Sequence, residues 1–85
     1  MTAPRLAPGV KLRHDAQRGP MLMAPERFLS LDETALAIVA LIDGQREATA
    51  IAQALGLAYD APVAEIAADV EALLTQLREQ GYIVR

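Results

Sequence analysis

The side chains that could do acid–base or metal chemistry are few and scattered. His14 is the single histidine, and there is no cysteine. A thiolate metal site or a Cys–His pair is therefore excluded. The carboxylates come closest together as Asp32-Glu33 and as Asp69 with Glu71. The first pair opens a predicted helix, where carboxylates complement the helix dipole. The second pair is two residues apart on a predicted helix and so points in different directions. All four read as capping or solvated groups, and His14 reads as a strand-surface residue. No glycine-rich dinucleotide fingerprint, P-loop, CxxC or HExxH occurs. No catalytic residue, cofactor or metal is expected, because catalysis needs such groups to converge in a pocket. The chemistry left to the chain is that of its main chain: hydrogen bonding along an exposed strand.

Composition bounds what can position such a strand. Eighty-five residues make a single domain, and a chain of that size buries only about 60–65% of its unfolded surface. Hydrophobic residues make up 53%, but the aromatics are only Phe28, Tyr59 and Tyr82. The core must then be aliphatic, which suits helices packed closely. The longest apolar run, Ala35 to Ile42, has eight residues, far short of the roughly 20 that a membrane helix needs. With no signal-peptide pattern and no cysteine, a cytoplasmic location away from the membrane is expected. The net charge of −3 is unevenly spread. Residues 1–27 carry +3, from Arg5, Lys11, Arg13, Arg18 and Arg27 against Asp15 and Glu26. Residues 28–85 carry −6, from three arginines and nine acids. A partner would sense a basic front on an acidic body.

Residues 1–9, with Pro4, Pro8 and Gly9, read as a flexible arm, followed by β-strands over 10–30 and three helices over 31–80. Val10, Leu12 and His14 alternate with Lys11, Arg13 and Asp15, the period of a half-buried strand. Turn residues through Gly19-Pro20 lead to a second strand, Met21-Leu22-Met23-Ala24. A proline break at Pro25 precedes a third, Arg27–Ser30. Ser30 and Glu33 have capping-box spacing, so a first helix is predicted from Leu31 or Asp32 to Ile42. It is apolar around most of its circumference, and Asp43-Gly44 should stop it. A second helix should start with Thr49 as N-cap, end at Gly56, and be followed by a loop over Leu57–Asp60. A third should begin at Pro62 and run to about Gln80 with the stripe Val63, Ile66, Val70, Leu73, Leu74 and Leu77. Gly81 is its predicted C-cap. Tyr82-Ile83-Val84 suffices for a strand stub or packing tail.

The resulting fold class is α+β, winged helix-turn-helix-like, with an N-terminal three-stranded sheet followed by a three-helix bundle. Three functions compete for it. The strand Arg27, Phe28, Leu29 and Ser30, beside a proline that cannot join a ladder, reads as an edge able to accept an extended peptide. Val70, Leu73, Leu74 and Leu77 would floor the groove beside it, although most of that stripe must also be core. A proline at Leu29 should then block strand addition. The second reading is a winged-helix nucleic-acid binder. Its recognition helix, residues 62–80, would carry Glu65, Asp69, Glu71 and Glu79 against Arg78 alone, which opposes contact with phosphate. No nucleic-acid partner is therefore expected. The third is a strand-exchanged homodimer hinged at Pro25.

Pro8, Leu12-Arg13, Leu22, Pro25-Glu26, Leu31, Asp43-Gly44, Ile51, Leu55, Tyr59, Asp69-Val70, Leu73, Leu77 and Gly81 together resemble the PqqD family of pyrroloquinoline quinone biosynthesis. The resemblance runs from Pro4 to Arg85. Recognition domains of other pathways for ribosomally made, modified peptides (RiPPs) share many of these positions. The resemblance implies a non-catalytic chaperone that binds the precursor peptide PqqA. It would present that peptide to a radical S-adenosylmethionine enzyme, PqqE, which cross-links a glutamate and a tyrosine within it. It further implies that the peptide pairs with Arg27, Phe28, Leu29 and Ser30 and packs against Val70, Leu73, Leu74 and Leu77. Met21-Leu22-Met23-Ala24 departs from the family by its methionines.

Overall fold

In the computed structural model residues 3–84 are described. Met1 and Thr2 of the expected arm, and Arg85 at the far end of the resemblance, lie outside them. The alternating residues after Val10 form β2, Lys11–Asp15, and the next apolar run forms β3, Gly19–Ala24. Between them Asp15 accepts the N–H groups of Gln17 and Arg18 at 2.8 and 2.9 Å, and Gly19 takes φ +81°. This three-residue loop closed by a left-handed glycine is a common hairpin connection. A tighter turn at Pro25 and Glu26 leads into β4, Arg27–Ser30. Proline followed by a left-handed residue, here Glu26 at φ 66°, is the combination of a type II turn. The three strands form one antiparallel sheet in the order β2-β3-β4.

The expected arm is tied down in its second half. Arg5–Leu6 is a strand, β1, paired antiparallel with β5, Ile83–Val84. Ala7 donates to the Tyr82 carbonyl at 2.9 Å, and Gly44 to the Pro4 carbonyl at 3.0 Å. The Pro8-Gly9 signal that suggested a loose arm instead makes a single turn, closed by Val10 N–H to Ala7 at 3.0 Å. The α+β class thus holds, with two small sheets and three helices among the described residues rather than one sheet.

Helix α1, Glu33–Val39, is capped by Asp32, whose carboxylate accepts from Ala35 N–H at 2.7 Å. The Ser30–Glu33 capping box does not form. Leu31 N–H still donates to Pro20 O at 3.0 Å, so Ser30 belongs to the sheet and Asp32 is the first residue free to cap. The helix also stops short of Ile42. Leu41 and Ile42 make tighter bonds to Ile38 and Val39, and Asp43 then nucleates a turn by accepting from Gln45 and Arg46. That turn makes Glu47, not Thr49, the N-cap of α2, Ala48–Tyr59.

Gly56 does not end α2. The helix runs through it to Asp60, which takes the left-handed conformation at φ 50°. A Cβ on Gly56 would lie 2.7 Å from Val63 Cγ2, so the glycine is there for close approach of the next helix. That helix, α3, spans Val63–Glu79 with Pro62 just outside it. Gly81 ends it as expected, with φ +81°. Tyr82 N–H reaches Leu77 O at 2.9 Å and Gly81 N–H reaches Arg78 O at 3.1 Å, the two bonds of a Schellman motif. Leu22, Ile38, Ile51, Val70, Leu74 and Leu77 are the deepest side chains of one core, fed by the inner sheet face and all three helices.

Candidate functional site

Among the described residues, strand β4 has β3 on one side and no strand on the other. The register pairs Met21 with Ser30, Leu22 with Leu29, Met23 with Phe28 and Ala24 with Arg27. Leu31 N–H bonds across to Pro20. Ladder bonds in an antiparallel pair involve alternate residues, so Leu29 and Arg27 also face β3. The main-chain N–H and C=O groups of Phe28 and Ser30 therefore point to the open side. That puts the blocking position one residue away from the one expected: Leu29 N–H is needed by β3, and Ser30 N–H is free.

Side chains along β4 divide by face. Leu29 is half-buried and packs against the core. Arg27, on the same face, lays its guanidinium 4.5 Å from the Tyr82 ring centroid, a cation–π contact that links the strand to the end of α3. Phe28 and Ser30 face outward. Phe28 is 48% exposed, and Arg18 from the hairpin turn sits 5.1 Å from its ring centroid.

The predicted helical floor is mostly core. Val70 and Leu77 are fully buried and Leu74 nearly so, while Leu73 is half-buried at the margin. Two adjoining clefts open between α1 and the helices packed beside it. The first, about 370 Å³, is lined by Asp32, Thr34, Ala35, Ile38, Asp69, Ala72, Leu73 and Gln76. The second, about 260 Å³, continues past Glu33, Ala37, Leu55, Tyr59, Ala61 and Ile66. Of the eight residues named from sequence, only Leu73 lines them. Thr34, Ala37, Ile66, Ala72 and Gln76 were missed, because nothing in their local pattern marks where two helices leave a gap. Ser30 is two residues before Asp32, so the open edge of β4 leads directly to the first cleft.

Among the described residues no three His, Asp or Glu side chains cluster as a metal site, and no buried side-chain polar atom lacks a partner. The carboxylates held below their usual range are Asp15 and Asp43, each by two turn N–H groups, and both lie outside the clefts. Among the described residues no helix is long and apolar enough to cross a membrane.

A family model described as coenzyme PQQ synthesis protein D (PqqD) matches residues 20–83. The chain is 45% identical over 74 residues to the PqqA binding protein of Rhizobium meliloti, covering 86% of this chain and 76% of that one. It is 43% identical over 83 residues to the bifunctional coenzyme PQQ synthesis protein C/D of Methylorubrum extorquens, covering 96% of this chain but only 22% of that longer protein. The solution structure of the PqqD truncation of Methylobacterium extorquens PqqCD, described as a functional, stand-alone RiPP recognition element, superposes with a TM-score of 0.83. It is 43% identical, with 96% of this chain and 88% of that chain covered. Lasso peptide synthetase B1 complexed with its leader peptide gives a TM-score of 0.81 at 25% identity, with 96% and 98% covered.

Proposed function

The chain belongs to the PqqD family, and we propose that it is a non-catalytic recognition domain that binds a PqqA-like precursor peptide as an added strand on β4. The observation that carries this is the open edge at Phe28 and Ser30, continuous with the cleft below Asp32. Main-chain bonds to those two residues supply affinity that is indifferent to sequence, and pockets for alternate side chains supply selectivity. The residues bearing the peptide are then Arg27, Phe28, Leu29 and Ser30, with Leu73 as the contact from α3. Val70, Leu74 and Leu77 act by holding α3 in place. The likeness to a synthetase solved with its leader peptide supports the same use of the fold.

Presentation of the bound peptide to a radical S-adenosylmethionine enzyme, PqqE-like, completes the proposal. Bond making belongs to that partner, in keeping with a site built from main chain and apolar side chains. The winged-helix arrangement of a hairpin before three helices serves here as a peptide platform. A nucleic-acid role is disfavoured by α3, whose Glu65, Asp69, Glu71 and Glu79 outnumber its single Arg78.

Titration of the full chain with a PqqA-like precursor peptide, followed through backbone amide shifts, tests the reading. Shifts at micromolar peptide are expected at Arg27 to Ser30, at Thr34 and from Ile66 to Gln76. Silence at residues 27–30 while other surfaces respond would sink strand addition on β4.

A further inference from the structure

The sheet has a second, outward face that strand addition leaves uncovered. The registers place Leu12, Leu22 and Leu29 together on the inner face, toward the core. They therefore place Lys11, Arg13, Met21, Met23, Phe28 and Ser30 on the outer face. That face is unusually apolar for one turned to solvent. Met21 is only 2% exposed although it is not part of the core cluster. Its cross-strand neighbours are Arg13 and Ser30. Met23 and Phe28 are directly opposite each other, 42% and 48% exposed.

The frame around these side chains is cationic. Lys11 is the cross-strand neighbour of Met23 and Arg13 that of Met21, while Arg18 covers Phe28. The nearby acid, Asp15, is turned to the N–H groups of Gln17 and Arg18. Flexible methionine, an aromatic ring and arginines are the types enriched where proteins meet. Three cations around an apolar centre complement an apolar patch flanked by carboxylates.

We propose that this outer face, centred on Met23 and Phe28 and framed by Lys11, Arg13 and Arg18, docks the peptide-modifying enzyme through an acid-flanked apolar patch on that enzyme. The proposal rests on the peptide-binding reading, and geometry connects the two. A peptide added to β4 extends the sheet by one strand, and alternate side chains of that strand project onto this same face. A protein seated on Met23 and Phe28 therefore also meets half of the bound peptide's side chains. Docking and substrate reading share one surface.

The test uses the full chain and the radical enzyme of its pathway, with two variants whose changes lie away from β4. Lys11→Glu/Arg13→Glu should weaken enzyme binding by about tenfold at low salt and flatten its salt dependence, because charges at an interface rim steer association. Met23→Ser should weaken binding by a similar factor, about tenfold, but leave the salt dependence intact. Affinity for the precursor peptide, measured without enzyme, should stay within about twofold for both variants, since rim and face changes leave the β4 main chain untouched. Unchanged enzyme affinity in both folded variants overturns the proposal. So does a finding that the variants lose binding to anionic vesicles, to duplex DNA or to a second copy of the chain instead. If the wild-type chain ignores the peptide yet both variants lose the enzyme, the docking face stands and the peptide-binding reading falls.

Discussion

Strands β2 and β4 are the two edges of the same three-stranded sheet, yet they are built for opposite outcomes. On β2 the register sends the main-chain groups of Leu12 and His14 outward, just as β4 sends those of Phe28 and Ser30. The sequence around the β2 edge is Lys11-Leu12-Arg13-His14-Asp15, and all but Leu12 are exposed. Charge along an edge is a common guard against unwanted pairing. The β4 edge carries Phe28-Leu29 instead and is anchored by Arg27 on Tyr82. It leads into clefts between the helices, whereas β2 leads to a hairpin tip. The same ladder geometry thus carries a charged edge on one side and a more apolar one on the other. Side chains and surroundings make the difference.

The largest effect should come from the core that α3 and the inner sheet face share. Leu77→Ala should cost about 3 kcal/mol, as a fully buried leucine leaves a cavity. Leu12→Ala behind β2 should cost about 1 kcal/mol, since less apolar area is lost. Urea unfolding followed by circular dichroism measures both, and equal costs would erase the distinction between the edges. Against a total stability on the order of 5–10 kcal/mol, the first loss is severe.

Next come prolines placed at the free N–H groups. Ser30→Pro removes an outward donor and should lower precursor-peptide affinity by about tenfold, the upper end for one hydrogen bond. His14→Pro removes the matching donor on β2 and should leave peptide affinity unchanged. Leu29→Pro strikes the ladder to β3, so it should reduce stability. Isothermal titration and thermal melts on the three variants separate these outcomes, and an affinity loss in His14→Pro would show that the wrong edge has been assigned.

Smaller still is the tether. Arg27→Ala removes the cation–π contact with Tyr82 and should cost about 0.5–1 kcal/mol, readable as a lower urea midpoint. Faster hydrogen exchange at β4 amides, with β2 amides unaffected, would localise it. The smallest effect concerns Asp15 in the β2–β3 turn. The N–H groups of Arg18 and Gln17 hold its carboxyl below the usual range. Its folded-state value is therefore depressed, and its stabilisation is complete above about pH 4. That stabilisation is lost as pH falls through the depressed value. Asp15→Asn should remove this part of the acid dependence, with a slight fall in stability at neutral pH. An unchanged acid limb in the melting curves would place the acid sensitivity elsewhere, Asp43 being the other depressed carboxylate.

Much of this was legible from residue patterns. The alternation after Val10 marked a strand, the stripe from Val63 to Leu77 marked α3, and Gly81 marked its end. The residues of the PqqD resemblance named the family that the comparisons show. Each of these signals is local, or a sum of local signals in order. The failures are equally specific. Gly56 and Thr49 carry strong boundary signals, and both were overridden. Gly56 sits inside a helix because Val63 of the next helix occupies the space of a side chain. Thr49 yielded because the Asp43 turn set the start of α2 two residues earlier.

The sequence by itself determined the strands after Val10, the existence of the three helices and which of their faces are apolar. Periodicity and composition are properties of neighbouring residues, and they survive without tertiary contacts. Only the tertiary structure decided that Arg5–Leu6 pairs with Ile83–Val84, since partners so far apart leave no local mark. It also decided that Phe28 and Ser30, rather than Leu29, turn their main chain away from β3. That choice depends on the parity of the ladder with β3, and a shift of one residue would reverse it.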